Sequence, residues 1–183
     1  MHRVSFPKSY ADTVAKLRVP CGFVLIAAFL WFSDPTLASL AAGLPISLVG
    51  LALRGWAAGH LEKNATLTES GPYAWVRNPL YLGTLTAATG FVVASCRWDL
   101  AVLCAAVFLL IYLPVVELEE EYLAKLFPGF PDYARRVNKL LPKPPQARAG
   151  KPFRFGLYRH NREYEAGLAF LIGVALLLWK ALT

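Results

Sequence analysis

The chain has 183 residues, enough for one domain, and 56% of them are hydrophobic while only 17% are charged. Soluble domains usually carry about 25% charged residues, so this composition, with a mean hydropathy of +0.44, excludes a typical soluble globule and predicts an integral membrane protein. The net charge of +7 comes from basic residues beside apolar runs, which predicts contact with anionic lipid and no nucleic-acid partner. The three cysteines show no metal-ligand spacing, so we expect no bound metal.

The N-terminal part of the chain predicts two membrane helices. Residues 6–18 place apolar side chains at helical spacing among basic ones, which is typical of a short interfacial helix or of a frayed basic tail. The first apolar run, residues 19–32, is short for a membrane span unless helical residues before it extend it. The second run, residues 37–61, is rich in glycine, so we expect it inside the helix bundle.

Two polar residues stand out in the second run. Arg54 lies well inside it, and because a charge at membrane depth is costly, we predict that it faces a partner or a wet cavity. Snorkelling of its side chain to the interface is the alternative. His60 ends the run, where a helix-dipole or interface role competes with catalysis. Both are candidate substrate-binding residues.

Residues 71–83 form a turn-rich, aromatic segment between the second and third apolar runs. Pro79 suits the first turn of the helix that follows and biases Asn78 away from helical conformation. Arg77 could hold a carboxylate through two N–H groups. A loop that had only to be short and soluble would not need so many aromatic and polar side chains, so we predict a functional site here.

The third and fourth apolar runs, residues 79–94 and 100–116, are separated by a short polar turn, which predicts a tight hairpin. The fourth run continues into the acidic residues 117–121. These are either a solvated helix end or part of the site. The basic turn beyond them contributes Tyr133 and Arg136 as candidate substrate-binding residues.

Residues 143–163 read as a basic linker, and residues 166–182 as a fifth apolar run that either walls a lipid entrance or serves as an anchor. We therefore predict one all-α domain over residues 1–183, a polytopic membrane bundle of about five transmembrane helices with its core at 37–142. Basic residues, from Arg3 onwards, crowd one set of loops, so the positive-inside rule places the N-terminus and the site in the cytoplasm.

Two motifs together resemble a known family. Their residues are Gly71, Pro72, Tyr73, Arg77, Asn78, Pro79, Tyr81 and Gly83 in the first, and Glu119, Glu120 and Leu123, followed by Tyr133, Val137 and Pro142, in the second. The pattern resembles the isoprenylcysteine carboxyl methyltransferase family, whose superfamily also includes phospholipid N-methyltransferases. The resemblance covers roughly residues 50–142.

The resemblance implies methyl transfer from S-adenosylmethionine to a lipid or lipidated acceptor at the cytoplasmic membrane face. It implies a cofactor site made of Gly71, Pro72, Tyr73, Arg77, Asn78, Pro79, Tyr81, Leu82, Gly83, Glu119 and Glu120. Arg77, Asn78 and Glu120 would be the catalytic residues among them. The family most often has His where this chain has Asn78, and an amide cannot act as a base near neutral pH.

The acceptor chemistry remains open at this point. A carboxylate acceptor is already ionised and needs positioning and desolvation, whereas an amine must first give a proton to a base. The predicted site offers positioning groups more clearly than a base, which slightly favours carboxyl O-methylation over phospholipid N-methylation. An NADPH-dependent membrane reductase of the sterol-reductase type and a non-catalytic lipid-binding protein are the alternatives. The sequence identifies neither the acceptor nor the oligomeric state.

Overall fold

The helices of the computed structural model, which describes residues 6–145 and 150–183, follow the apolar runs of the sequence. In chain order they are α1 (Lys8–Phe32), α2 (Leu37–Ala58), a 3₁₀ turn (Gly71–Ala74), α3 (Pro79–Ser95), α4 (Trp98–Val107), a π-helical segment (Phe108–Tyr112), α5 (Leu113–Leu126), α6 (Phe130–Arg136), α7 (Phe155–His160) and α8 (Tyr164–Leu182). The predicted polytopic helix bundle is confirmed. Arg3 and residues 146–149 of the predicted linker lie outside the described residues.

Four of the described helices are long and apolar enough to cross a membrane: α1, α2, the continuous helix from Trp98 to Leu126, and α8. The predicted third span, α3, is apolar but has 17 residues. At about 1.5 Å per residue it reaches only about 25 Å, less than the hydrocarbon core of a typical bilayer. All five apolar runs are thus helical, and the chain is an integral membrane protein.

Helix α1 decides between the two predictions for the N-terminal region. One helix runs from Lys8 to Phe32 and contains Pro20, so the basic residues extend the first apolar run and the frayed-tail alternative is wrong from Lys8 onwards. Ala11 and Val14 in its first turns are buried. The early part of α1 is therefore packed against the bundle.

Helices α2 and α3 make the most extensive contact in the bundle. Glycines on the two helices face each other, and a Cβ added to Gly50 would collide with the backbone of Gly83 and Ala87. The Ser47 hydroxyl donates a hydrogen bond to the Ala87 carbonyl at 2.8 Å. Small residues let the two backbones touch, which confirms the predicted inner position of the second run. The close partner of α3 is therefore α2, although a short turn joins α3 to α4.

The C-terminal segment joins the bundle at both ends of α8. Asn161 Nδ2 donates to the carbonyls of Ala58 and Leu61 at 2.9 and 3.0 Å, which satisfies acceptors just at and beyond the end of α2. Near the end of α8, Lys180 Nζ donates to the carbonyl of Ser33, directly after α1. The fifth apolar run therefore packs as part of the bundle.

The region predicted as a linker contains α7, which the sequence pattern did not indicate. The Arg154 N–H just before α7 donates to the carbonyl of Gly59 at 2.9 Å, and the ring of Phe153 lies against Gly59 and edge-on to His60. This segment therefore covers the end of α2, close to the predicted site.

Candidate active site

Gly71 and Pro72 shape the turn that leads into the site. Gly71 has a φ of +59°, a left-handed conformation that residues with a side chain rarely adopt, and an added Cβ would collide with the imidazole of His60. Pro72 follows and is fully buried. His60 itself is buried, with Nδ1 2.9 Å from the Trp56 carbonyl. These residues support the turn, and none of the three lines the main cavity described below.

Arg77 and Glu120 form a bidentate ion pair. Arg77 Nε lies 2.9 Å from Glu120 Oε1 and Nη2 lies 3.1 Å from Oε2, with less than a tenth of either side chain exposed. Arg77 Nη1 donates to the carbonyls of Ala134 and Val137 at 2.7 and 2.8 Å. One guanidinium thus joins the turn before α3 to α5 and α6. The carboxylate that it holds bidentately is Glu120 and not that of a substrate.

Asn78 completes this cluster. Its Nδ2 donates to Glu120 Oε1 at 2.8 Å and to the Lys139 carbonyl at 3.2 Å, and the residue is 9% exposed. Glu120 therefore accepts three hydrogen bonds. The Oδ1 of Asn78 accepts none of the hydrogen bonds found in residues 6–145 and 150–183, and Asn78 lines the cavity. This amide oxygen is an acceptor that a ligand could use.

The second glutamate of the motif has a different environment. Glu119 Oε1 accepts a hydrogen bond from the Tyr81 hydroxyl at 2.8 Å, while 49% of its side chain is exposed. Arg18 Nη1 lies 3.1 Å from the same hydroxyl and 3.5 Å from Glu119 Oε1. The sequence did not predict Arg18 as a site residue, because no spacing rule connects it with motifs at least fifty positions away. The two glutamates are thus divided into a buried, paired carboxylate and an accessible one.

These residues surround a cavity of about 770 Å³. Seven of the predicted cofactor-site residues line it: Tyr73, Arg77, Asn78, Pro79, Tyr81, Glu119 and Glu120. Gly71, Pro72, Leu82 and Gly83 do not. Gly83 faces α2, where an added Cβ would lie 2.7 Å from both the Gly50 carbonyl oxygen and Arg54 Cγ. Leu82 is about 200° around the helix from the cavity-lining Leu80 and Thr84.

Arg54 lies on the same cavity and has a partner. Its Nε and Nη2 donate to Glu163 Oε1 and Oε2 at 2.6 and 3.0 Å, and its Nη1 donates to the Thr84 hydroxyl. The prediction of a partner is confirmed. Glu163, only 7% exposed, was not predicted, because it lies 109 positions from Arg54 in a basic stretch without a motif.

Two further predicted substrate residues separate in the structure. Tyr133 lines the cavity, and its hydroxyl donates to the Tyr73 carbonyl at 2.7 Å. Burial raises the pKa of both tyrosines, so each is a protonated donor near neutral pH. Arg136 does not line the cavity and pairs with Glu69 at 2.7 Å.

Thr68 also lines the cavity, and its Oγ1 is buried without a hydrogen-bond partner in the described part of the chain.

Helix α1 supplies an apolar wall. Val19, Gly22, Phe23 and Ile26 line the cavity, and Val19, Phe23 and Ile26 are 59%, 69% and 55% exposed. Because α1 is long and apolar enough to span a membrane, side chains exposed along it lie where lipid chains would contact them. The cavity therefore connects the polar cluster with an apolar, membrane-facing edge.

Residues 21–129 match the phospholipid methyltransferase family. The chain belongs to this family. The matched segment begins in α1 and ends just after α5, so it includes Arg77, Asn78, Glu119 and Glu120. It stops before Glu163, so the partner of Arg54 comes from a part of the chain that this match does not cover. The resemblance read from the two motifs agrees with this membership.

Two curated relatives show moderate identity to this chain. Over 115 residues it is 34% identical to the cobalt-zinc-cadmium resistance protein CzcN of Cupriavidus metallidurans. This aligned region covers 62% of this chain and 52% of that protein. Over 134 residues it is 34% identical to the nickel-cobalt-cadmium resistance protein NccN of Alcaligenes xylosoxydans xylosoxydans. This aligned region covers 69% of this chain and 62% of that protein. The chain thus spans less than two thirds of the length of these relatives. No solved structure matches it significantly.

Proposed function

We propose that this protein transfers a methyl group from S-adenosylmethionine to a lipid-borne acceptor at the cytoplasmic face of the membrane. One observation carries the proposal: a single cavity joins the buried cluster of Arg77, Asn78 and Glu120 to the exposed apolar edge of α1. In such a cavity a lipid can lay its chain along α1 while its head group reaches the polar cluster. Family membership supports methyl transfer as the reaction class.

The residues present fit this cofactor in volume and chemistry. A cavity of about 770 Å³ lies within the usual range for small-molecule sites. Glu119 can accept hydrogen bonds from an ammonium or from ribose hydroxyls, and the ring of Tyr81 can contact a sulfonium or an adenine. Among residues 6–145 and 150–183, Asn78 Oδ1 and Thr68 Oγ1 have no hydrogen-bond partner, and a ligand could supply one. When bound, the cofactor supplies a methyl carbon activated by the adjacent sulfonium.

The residues of this site are better suited to positioning the reactants than to removing a proton from the acceptor. Arg77 and Asn78 together give Glu120 three hydrogen bonds, which fix the orientation of its side chain and occupy its oxygens. Such a fixed, paired carboxylate is a poor general base, and the amide of Asn78 cannot take a proton. An ionised carboxylate acceptor needs no base, so we propose carboxyl O-methylation. Phospholipid N-methylation would instead require Glu119, the accessible carboxylate, to remove a proton.

Labelled methyl transfer tests this function. The full-length protein in lipid nanodiscs is incubated with methyl-labelled S-adenosylmethionine and a membrane lipid extract, and the labelled product is isolated. We expect a lipid whose label is released as methanol by alkali, because a methyl ester hydrolyses there. A label stable to alkali would instead identify N-methylation. Absence of S-adenosylmethionine binding by calorimetry would overturn the proposal.

A matched pair of variants links the activity to the site. Glu120→Gln should abolish labelling, because it removes the charge that fixes Arg77 and Asn78. Glu121→Gln, one position further along α5 and outside the cavity lining, should keep wild-type labelling. Equal activity of the two variants would contradict the role of the buried cluster.

The names of the two relatives connect them with resistance to cobalt, zinc, cadmium and nickel. Within the described residues, no group of three or more His, Cys, Asp or Glu side chains could hold a metal ion. We propose that this protein shares a role in metal tolerance and acts through its methylated product. Cells producing the wild type should then tolerate zinc better than cells producing Glu120→Gln, and equal tolerance would contradict the link.

A further inference from the structure

The cavity has a second polar corner, formed by Arg54 and Glu163. A guanidinium has five N–H groups, and four of those on Arg54 are used. Two bind Glu163, one binds the Thr84 hydroxyl, and one lies 3.5 Å from the Leu80 carbonyl. The fifth, on Nη2, takes part in none of the hydrogen bonds of the described residues. A quarter of the Arg54 side chain remains exposed.

The hydroxyl of Tyr73 is a second unused donor in the same cavity. Tyr73 lines the cavity and is 93% buried, yet its hydroxyl makes none of the hydrogen bonds found in the described residues. Arg54 and Glu163 line the same cavity. Within the described residues, this cavity thus offers two unused donors, one of them charged. Donors of this kind recognise an anionic oxygen.

We propose that Arg54 and Tyr73 bind a carboxylate or phosphate oxygen of the acceptor's head group, and that Glu163 is the positioning residue that orients Arg54. The assignment to an acceptor rests on the proposed methyl transfer, whereas the anion site itself does not. Glu163 holds the guanidinium against the first turns of α3, where Arg54 also contacts Leu80 and Thr84. The C-terminal segment, outside the family match, thereby completes the acceptor end of the site.

Substitution of Arg54 and substitution of Glu163 should change the affinity for an anionic ligand in opposite directions. Arg54→Met removes the donor, so an anionic ligand should bind more weakly. Glu163→Gln leaves the guanidinium in place and removes the carboxylate that offsets its charge, so the same ligand should bind more tightly but in a less fixed orientation. A pair with a purely structural role would show losses in both variants.

Three ligands with the same chain length measure this selectivity: dodecyl phosphate, dodecanoate and dodecanol. Binding to the full-length protein in nanodiscs is followed by calorimetry. We expect the wild type to prefer the better of the two anions over dodecanol by about tenfold, the scale of one charge-assisted hydrogen bond. Whichever anion binds more tightly distinguishes a phosphate-bearing from a carboxylate-bearing acceptor.

The variants then test the residues. Arg54→Met should lose the preference for anions, and Glu163→Gln should strengthen anion binding about threefold or more. Glu165→Gln is the matched control, since Glu165 lies two positions away, pairs with the exposed Arg162 and does not line the cavity. If Arg54→Met does not fold, the double variant Arg54→Met/Glu163→Gln removes both charges and should also lose the preference.

Equal binding of dodecanol and the anions, or weaker anion binding in both single variants, would overturn the inference. Neither measurement involves the methyl donor, so the anion site can stand even if methyl transfer fails. Once an acceptor is labelled, Glu163→Gln should lower both kcat and the half-saturating acceptor concentration. An unchanged kcat in that variant would contradict a positioning role.

Discussion

Arg77 and Glu120, 43 positions apart in the sequence, form a bidentate ion pair with less than a tenth of either side chain exposed. The pair connects the two halves of the sequence motif into one physical unit. Because Arg77 also binds two carbonyls at the end of α6, this unit includes the basic turn that follows. Stability and cofactor binding should therefore depend on the same guanidinium.

Replacing Arg77 by Met should lower the free energy of unfolding by about 3 kcal/mol or more, because it leaves the buried Glu120 without its charged partner. The double variant Arg77→Met/Glu120→Gln should recover much of this stability and still fail to bind S-adenosylmethionine. Equilibrium unfolding in mixed micelles measures the first effect and calorimetry the second. Arg135→Met, which removes an exposed pair with Asp132 on α6, is the control and should change stability little.

Asn78→His should make stability depend on pH between about 6 and 8. An imidazolium beside the Glu120 carboxylate is favoured, so the pKa of the new side chain should lie above about 6.5, the usual value for histidine. The stability gained relative to the wild type is then fully present below that value and is lost as the pH rises through the raised pKa. Unfolding midpoints across this range measure the effect. Asn138→His, at an exposed position, should show no such dependence.

Gly50→Ala should destabilise the protein by about 2 kcal/mol, because the added methyl group meets backbone atoms of α3 that cannot move aside. In a helix without such a neighbour the same change is favourable, since alanine has the higher helix propensity. Gly167→Ala in α8, where nothing lies within 4 Å of the added Cβ, is the matched control. Thermal unfolding of both should give opposite or clearly unequal shifts, and equal shifts would contradict the close contact.

Tyr133→Phe should lower the free energy of unfolding by about 1 kcal/mol near neutral pH, because the hydrogen bond to the Tyr73 carbonyl is lost. Burial raises the pKa of Tyr133 in the folded protein. Its contribution to stability is therefore present below about pH 10, the usual pKa of tyrosine, and is lost as the pH rises through the higher folded value. Alkaline unfolding should be less steep for Tyr133→Phe than for the wild type. Tyr122→Phe, at a half-exposed position, should leave the profile unchanged.

The sequence predicted the cluster of Arg77, Asn78 and Glu120 correctly as a spatial group, because both motifs flank apolar runs and so emerge together. It was less informative about the glycines. The resemblance implies that Gly71 and Gly83 contact the cofactor. In the structure, the absence of a side chain instead lets Gly71 pack closely against His60 and Gly83 against α2. A motif shows that a position matters and does not show which neighbour requires it.

Glu163 and Arg18 could not be predicted from local patterns. Arg18 lies in α1 and Glu163 in the turn just before α8, and neither belongs to a recognisable motif. Their partners, Arg54 and Glu119, lie about a hundred positions away in the chain. Pairing at that distance depends on how the helices are arranged around the bundle, which composition and spacing do not determine.

The backbone contact between α2 and α3 restricts which helices can move to admit the proposed lipid acceptor. With no side chain between Gly50 and Gly83, sliding or separation of the two helices would lose this close backbone packing. For the proposed lipid acceptor, we therefore expect entry to depend on movement of α1, whose exposed apolar side chains line the cavity. A crosslink between α1 and α8 should therefore slow acceptor exchange while leaving the contact between α2 and α3 unchanged.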